Sequence, residues 1–316
     1  MSSTASLSPA YRAITTSCGL FDRSERGKLA LTGTDAKSFL QGQVSNDVES
    51  LRAGTGCYAA FLTPKGKMLG DLRILDAGQE LLLDTERVAL QALFNMIRRF
   101  SIGYDVQLHK RTLERGLLSL IGPDAVAVLG APSLSDAPEH LHLEVEVDGV
   151  AARAIRTDVG VDLLCDASDT ERLSAALQDA GVLPVDEAVV EALRVEHGRP
   201  RYGIDLDESV IPQEAGLNER AVSFTKGCYV GQETVARLYY RGKPNRHLRG
   251  LRLFGPAATG DPVRFADREV GRLGSVVESP RLGWIALALV RREAPPGSDV
   301  AVGDGLGAEV VELPFS

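Results

Sequence analysis

Tyr58-Ala-Ala-Phe-Leu-Thr63-Pro-Lys-Gly66-Lys-Met-Leu-Gly70-Asp71-Leu-Arg73-Ile-Leu75 is the stretch that decides the fold. Two runs of strand-forming residues, 58–63 and 68–75, flank a turn built on Pro64 and Gly66. Turn chemistry between two such runs reads as a hairpin. Downstream, Leu81-Leu-Leu-Asp84 leads into residues 85–100, where Val88, Leu90, Leu93, Phe94 and Ile97 recur at helical spacing as a core side. Upstream, Lys28 to Leu31 reads as a short strand. Thr34 or Asp35 then caps a helix with Phe39, Leu40 and Val44 on one face. A sheet with helices packed on one face is an α+β pattern.

The pattern recurs further along the chain. Leu31-Thr-Gly33-Thr-Asp35-Ala36, with Leu40, is echoed 89 residues later by Leu120-Ile-Gly122-Pro-Asp124-Ala125, with Leu129. Thr85-Glu-Arg87 is echoed by Thr170-Glu-Arg172, 85 residues later. The common offset suggests a duplicated module of about 85–90 residues, joined near residue 115. In the second copy, residues 141–147 alternate as a half-buried strand, and Ser168 with Glu171 forms a capping box before a helix. Another helix runs from Asp186 to His197 and stops at Gly198. Residues 199–225 are irregular, and a loop of that length in a compact protein is usually functional. Beyond Lys243-Pro244, short strands broken by Gly, Pro and Asp read as a small β-barrel. The expected organisation is therefore an α+β region over residues 1–242, made of two interleaved subdomains, and a barrel over 243–316.

The 316 residues include 35 basic and 43 acidic side chains, a net charge of −8, with 44% hydrophobic and 25% charged residues. That is the balance of an ordinary globular protein with no overall attraction for nucleic acid or an anionic membrane. Cysteines at 18, 57, 165 and 228 have no zinc or redox spacing, and reduced thiols in the cytoplasm are the expectation. The longest apolar run, residues 284–290, is far too short to cross a bilayer. The first 22 residues carry one Arg and no apolar stretch, so they do not read as a signal peptide.

Charge is uneven, however. Between Lys226 and Arg252 there are seven basic residues against one acid, Glu233, a field suited to an anionic ligand. That stretch opens with Lys226-Gly227-Cys228-Tyr229-Val230-Gly231-Gln232-Glu233, a thiol between glycines just before a helix start. Lys226 and the helix N-terminus would both favour a thiolate at Cys228. His140-x-His142 could ligate a metal from one strand face, but no third ligand is placed to complete it, and it reads as a polar face. Asp205-Leu-Asp207-Glu208 lacks calcium-loop spacing and no phosphate-binding loop is present, so no metal is expected.

These segments resemble a known family. Residues 31–48, Thr63-Pro-Lys-Gly66-Lys67, Leu193-Arg194-Val-Glu196-x-Gly198 and Ile211-Pro-Gln-Glu214-Ala-Gly-Leu217 resemble the glycine-cleavage aminomethyltransferase (T-protein) superfamily. Lys226-Gly-Cys228-Tyr-x-Gly-Gln-Glu233 is more specific and resembles the YgfZ-type folate-binding branch. The resemblance implies an aminomethyltransferase-like fold: two α+β subdomains around a central folate-binding hole, plus the barrel. It also implies tetrahydrofolate, or a one-carbon-substituted form, as cofactor. Asp162, in Gly160-Val-Asp162, would hold the pterin through paired N–H donors, with Arg194 as its basic partner. Gly227, Tyr229, Gly231, Gln232 and Glu233 would complete the binding set, and the basic stretch would suit the glutamate tail.

One departure from the transferase stands out. Its Asp-Asp-Leu pattern is Gly70-Asp71-Leu72 here, so the first acid is missing, and Asp71, one residue along, should face the other side of the strand. Aminomethyl transfer is accordingly not the leading expectation. The resemblance instead implies a folate-dependent accessory protein supporting iron–sulfur enzymes or their assembly, including enzymes of tRNA modification. Cys228 would be the reactive group, with Lys226 favouring its thiolate. The alternative is a folate-dependent aminomethyltransferase or demethylase acting on a small amine, with Asp71 or Asp47 as the working carboxylate. Direct nucleic-acid and membrane binding are not expected.

Overall fold

The computed structural model describes residues 8–316, so part of the segment read as lacking a signal peptide, residues 1–7, lies outside the described residues. Helix α1 (Pro9–Thr16) and strand β1 (Gly19–Asp22) lead into a first module. It comprises β2 (Gly27–Thr32), α2 (Ala36–Gln41), β3 (Gly56–Leu62), β4 (Met68–Asp76), β5 (Leu81–Thr85), α3 (Leu90–Phe100) and β6 (Gln107–Lys110). A second module follows with β7 (Arg115–Ile121), α4 (Ala125–Leu129), β8 (His142–Val147), β9 (Val150–Arg156), β10 (Gly160–Asp166), α5 (Thr170–Asp179) and β11 (Leu183–Pro184). Helices α6 (Glu187–Glu196), α7 (Asn218–Ala221) and α8 (Gln232–Arg241) connect these to the last six strands. Those are β12 (Arg246–Leu253), β13 (Pro262–Phe265), β14 (Arg268–Ser279), β15 (Gly283–Arg291), β16 (Asp299–Val302) and β17 (Leu306–Val311).

The two modules repeat one topology. The first sheet runs β3-β4-β5-β2-β6, and the second contains β8-β9-β10-β7, the same connection order, extended by β1 and β11. The repeated Gly–x–Asp marks the same corner in both. Gly33 and Gly122 have φ of 107° and 129°. A Cβ would stand 2.1 Å from the Asp105 carbonyl at the first and 2.3 Å from the Ser17 carbonyl at the second, so only glycine fits. Asp35 and Asp124 precede α2 and α4, yet neither side chain makes a cap hydrogen bond. The second echo does not coincide: Thr85 ends a strand, whereas Thr170 begins α5. Nor is there a capping box at Ser168, because residues 167–169 form a tight 3₁₀ turn and α5 starts without a side-chain cap. Val88 likewise falls in a 3₁₀ turn before α3 and is 65% exposed, leaving Leu93 and Ile97 as the buried side of that helix.

Six strands close into a barrel filled by Leu251, Val263, Leu273, Ala286, Val302 and Val310. The strand over 299–302 is one that the sequence pattern did not mark. Helix α6 is the hinge of the assembly. Val190 and Leu193 pack with Tyr11, Ile14 and Ile121, while Val195 packs with Leu248, Ile285, Leu287 and Phe315 of the barrel. The irregular segment after α6 buries Tyr202, Leu206, Val210 and Ile211 in the first module's core. It thus ties three bodies together. Among the described residues, no helix is long and apolar enough to cross a membrane.

Candidate functional site

A cleft of about 1130 Å³, part of it open to solvent, lies where the two sheets meet α6 and the segment that follows it. Alternation along β4 builds its floor. Asp71 and Arg73 line the cleft, while Leu72 and Ile74 enter the first module's core. Across the β3–β4 pair, Tyr58 stands opposite Arg73, and its hydroxyl donates to Asp71 Oδ2 at 2.8 Å. Burial raises the Asp71 carboxyl to about 6, against the lowering effect of the Tyr58 hydrogen bond and of Arg26.

Gly70 bears on the missing acid. A Cβ there would lie 2.5 Å from Phe61 Cζ and 2.7 Å from Ala89 Cβ, both in the buried core. An acid at position 70 would therefore point away from the cleft, and it is Asp71 that points in. The expectation that Asp71 faces the wrong side is corrected by this register: the cleft keeps its carboxylate.

Arg73 joins the two modules. Its guanidinium donates to Asp84 Oδ2 at 2.5 Å, on the neighbouring strand β5, and to Asp162 Oδ2 at 2.6 Å, on β10 of the other sheet. Asp162 also accepts from Ser119 Oγ at 2.6 Å. Burial pushes the Asp84 carboxyl upward, but Arg26 and Arg73 outweigh it and hold the group at about 2. The network continues through Arg26 to Glu86, and from Glu86 to Arg201.

Arg194 also lines the cleft, and its donors are all engaged. Nε and Nη2 donate to the Glu191 carboxylate at 2.9 and 2.7 Å, Nη1 donates to Asp205 Oδ2 at 3.0 Å and to the Arg199 carbonyl, and Nη2 also reaches Ser275 Oγ at 2.6 Å. Glu196, two residues on, is buried and accepts from the Tyr11 hydroxyl and from Ser279 Oγ. Leu193-Arg194-Val-Glu196 thus clamps α6 onto its neighbours.

The Cys228 loop lies elsewhere. None of Lys226, Gly227, Cys228, Tyr229, Gly231, Gln232 or Glu233 is among the cleft-lining residues, whereas Asp71, Asp162 and Arg194 are. The Lys226 ammonium donates to the carbonyls of Gln41, Val44 and Asn46 at 2.5, 2.7 and 2.9 Å, and sits 5.0 Å from the centre of the buried Tyr229 ring. Burial lowers its pKa to about 8, against the raising effect of Asp47. Cys228 is exposed. Gly231 has a φ of 86° and caps α8, with Gln232 half-buried and Glu233 exposed just beyond. The basic stretch is dispersed as well: Arg246 pairs with Glu214 and Arg249 with Glu312. None of its seven cations lines the cleft.

Several cleft residues had no marker in the sequence. Arg73 is the exception, since it shares strand parity with Asp71. Tyr58, Arg23 and Ser119 are recognisable only once strands are paired, and His140, noted in the sequence as half of a His-x-His pair, becomes a cleft residue only in the fold. His140 and His142 do not form a polar strand face: His142 is 2% exposed, and His140 lines the cleft.

The cleft holds polar atoms that the protein itself leaves unsatisfied. Arg23 Nε, Arg73 Nε and His140 Nδ1 are buried there without hydrogen-bond partners. Arg23 makes no side-chain hydrogen bond or ion pair among the described residues; its guanidinium stands 5.6 Å from the centre of the Phe21 ring and helps hold the Glu191 carboxyl down, with hydrogen-bond donors still to offer an anionic group.

Comparison with known proteins agrees with this architecture. The GCVT N-terminal domain family matches residues 3–226. An aminomethyltransferase of Rubrobacter xylanophilus is 32% identical over 96% of this chain and 85% of its own length. A chloroplastic protein of Arabidopsis thaliana, named as a transferase, is 28% identical over 93% of this chain and 70% of its own. The crystal structure of glycine cleavage system aminomethyltransferase T from Bartonella henselae superposes with a TM-score of 0.86 at 25% identity, covering 97% of this chain and 88% of that one. The fold is the aminomethyltransferase fold with its closed barrel, and the chain belongs to the GCVT aminomethyltransferase family.

Proposed function

We propose that this protein binds a reduced folate in the central cleft and acts as an accessory factor for iron–sulfur enzymes, in the manner of the YgfZ-type branch. The observation that carries the folate reading is the cleft itself, with buried unpartnered atoms on Arg23, Arg73 and His140 and a carboxyl–phenol pair at Asp71 and Tyr58. Asp162 and Asp71 would take N–H donors of the pterin, and Arg23 would take the carboxylate of the tail. A folate bound there would supply a carrier for a one-carbon unit. The accessory role draws support from the place of Cys228: an exposed thiol outside the cleft suits a protein partner better than a small enclosed substrate. Four unpaired thiols suit a reducing compartment, which favours the cytoplasm.

The second reading, one-carbon transfer to or from a small amine, draws on the orientation of Asp71. With its pKa near 6, this carboxyl can hold or release a proton at Oδ at neutral pH, as a general acid or base must.

Calorimetric titration with 5-formyltetrahydrofolate tests the folate reading. Wild type should bind, Arg23→Ala should weaken binding about tenfold, as the loss of roughly 1.4 kcal/mol implies, and Cys228→Ala should leave it unchanged. No binding by wild type would sink the reading. Asp71→Asn and Cys228→Ala then separate the two roles. Loss of iron–sulfur enzyme activity in cells with the Cys228 variant alone supports the accessory role, and loss of amine-dependent turnover with the Asp71 variant alone supports transfer.

A further inference from the structure

His140 is the cleft residue whose position the fold explains least. It precedes β8 with a φ of 71°, a left-handed conformation costing about 1–2 kcal/mol for a residue with a Cβ. The chain on either side is pinned: His140 N donates to the Arg156 carbonyl at 2.8 Å, and His142 N to the Gly54 carbonyl at 2.8 Å. The imidazole is 12% exposed and lines the cleft. Its Nδ1 is buried with no partner, and its Nε2 stands 3.6 Å from Glu139 Oε1, beyond hydrogen-bond range. His142, two residues on, is secured through one ring nitrogen by Arg153 at 3.0 Å while its Nε2 lacks a partner, whereas neither ring nitrogen of His140 makes a hydrogen bond within the protein. His140 has strained backbone, a buried ring and no ring hydrogen bond, a combination that costs stability without a structural return.

The surroundings define the missing partner. Asp158, Asp162 and Glu139 lie around the ring with Arg73 and Arg220, so the place is neither a cation nor an anion site. Burial, together with Arg73 and Arg220, pushes the imidazole down to about 3. At neutral pH it is uncharged, with one nitrogen donating and the other accepting. Such a group matches a planar neutral heterocycle that carries donors and acceptors along one edge.

We propose that His140 contacts ligand directly in the cleft, its neutral imidazole hydrogen-bonding the edge of a pterin-class ring. The assignment rests on the folate reading above. It is tested by titrating wild type, His140→Ala and His140→Asn with 5-formyltetrahydrofolate, alongside thermal unfolding of each protein without ligand. His140→Ala should bind at least tenfold more weakly while its unfolding temperature is unchanged or higher, because an unsatisfied buried group has been removed. Asn tolerates the left-handed conformation and offers an amide, so His140→Asn should recover part of the affinity. Wild-type affinity in His140→Ala would overturn the assignment while leaving the folate reading intact. A fall in unfolding temperature without a change in affinity would make the residue structural and overturn it too. Absence of binding in wild type would remove the folate reading and this assignment together.

Discussion

Arg194 shows how far a residue's role depends on its neighbours. All five of its donors are used, and one partner, Asp205, has a side chain that is 0% exposed. Removing the guanidinium takes the cation from that carboxylate and leaves it to the Arg201 and Ser275 N–H groups and the Ser275 hydroxyl, so Arg194→Ala should cost about 3–5 kcal/mol, read as a fall in urea midpoint. Arg194→Lys should restore little of it, because a compact ammonium cannot span a planar fork. A midpoint equal to wild type would show the clamp to be dispensable. Asp71 makes a different kind of prediction. Its carboxyl is raised to about 6 in the native state, so between about pH 4 and 6 the folded protein keeps a proton that the unfolded chain has lost. Stability at this site therefore falls as pH rises through that window. Asp71→Asn should match wild type near pH 4 and exceed it above pH 6, by up to about 3 kcal/mol, in denaturation series run at each pH. Asp84 acts in the opposite sense: held at about 2, it adds stability that is lost as pH falls below the ordinary carboxylate range toward 2. Asp162 and Arg194 could be picked out by motif, but that Arg73 and Ser119 already hold the one, and that the other has no donor left, could not.

Elements are where local sequence spoke most clearly. The 58–75 hairpin, the Asp186-capped helix α6 and five of the six barrel strands follow from short-range alternation and turn chemistry, and all are present. What local pattern missed was docking between elements. The turn between β3 and β4 packs on the start of α8: a Cβ on Gly231 would meet the Thr63 carbonyl at 2.6 Å, and one on Gly66 would meet Thr234 Cβ at 2.9 Å. Gly231 also sits at a φ of 86°. Gly231→Ala should therefore destabilise by about 1–3 kcal/mol and speed proteolysis around Cys228. Gly227→Ala, with nothing within 4 Å, should stay within about 0.5 kcal/mol, as thermal unfolding would show. Equal effects at the two positions would mean that the loop is not seated against the hairpin. Lys226 belongs to the same seat, since its ammonium bridges three carbonyls at and just beyond the end of α2 and so fixes the chain just before the thiol.

At the scale of the molecule, α6 and the barrel are one structural unit. Val195 is wholly buried against barrel residues, Ser275 and Ser279 of β14 bind Arg194 and Glu196, and Phe315 N donates to the Glu196 carbonyl at 2.9 Å. A chain ended at residue 242 would expose that apolar seam and leave Arg194 short of a partner. It should bind a hydrophobic dye and elute as aggregate in size-exclusion chromatography, and a monomer with cooperative unfolding would show instead that the barrel is an independent appendage. The α+β class, the 58–75 hairpin and the terminal barrel were determined by the sequence alone, because each depends on residues a few positions apart, whereas Asp162 and Arg194 were singled out only through a family resemblance. The tertiary structure alone decided that Asp71 rather than position 70 faces the cleft, that the basic stretch lies outside it, and that Arg23 and His140 lie within it with unspent hydrogen-bonding capacity. The reason is physical: a cleft between two modules is lined by groups as distant in the chain as Arg73 and Asp162, 89 residues apart. Which donors remain free is settled only when all the partners have met.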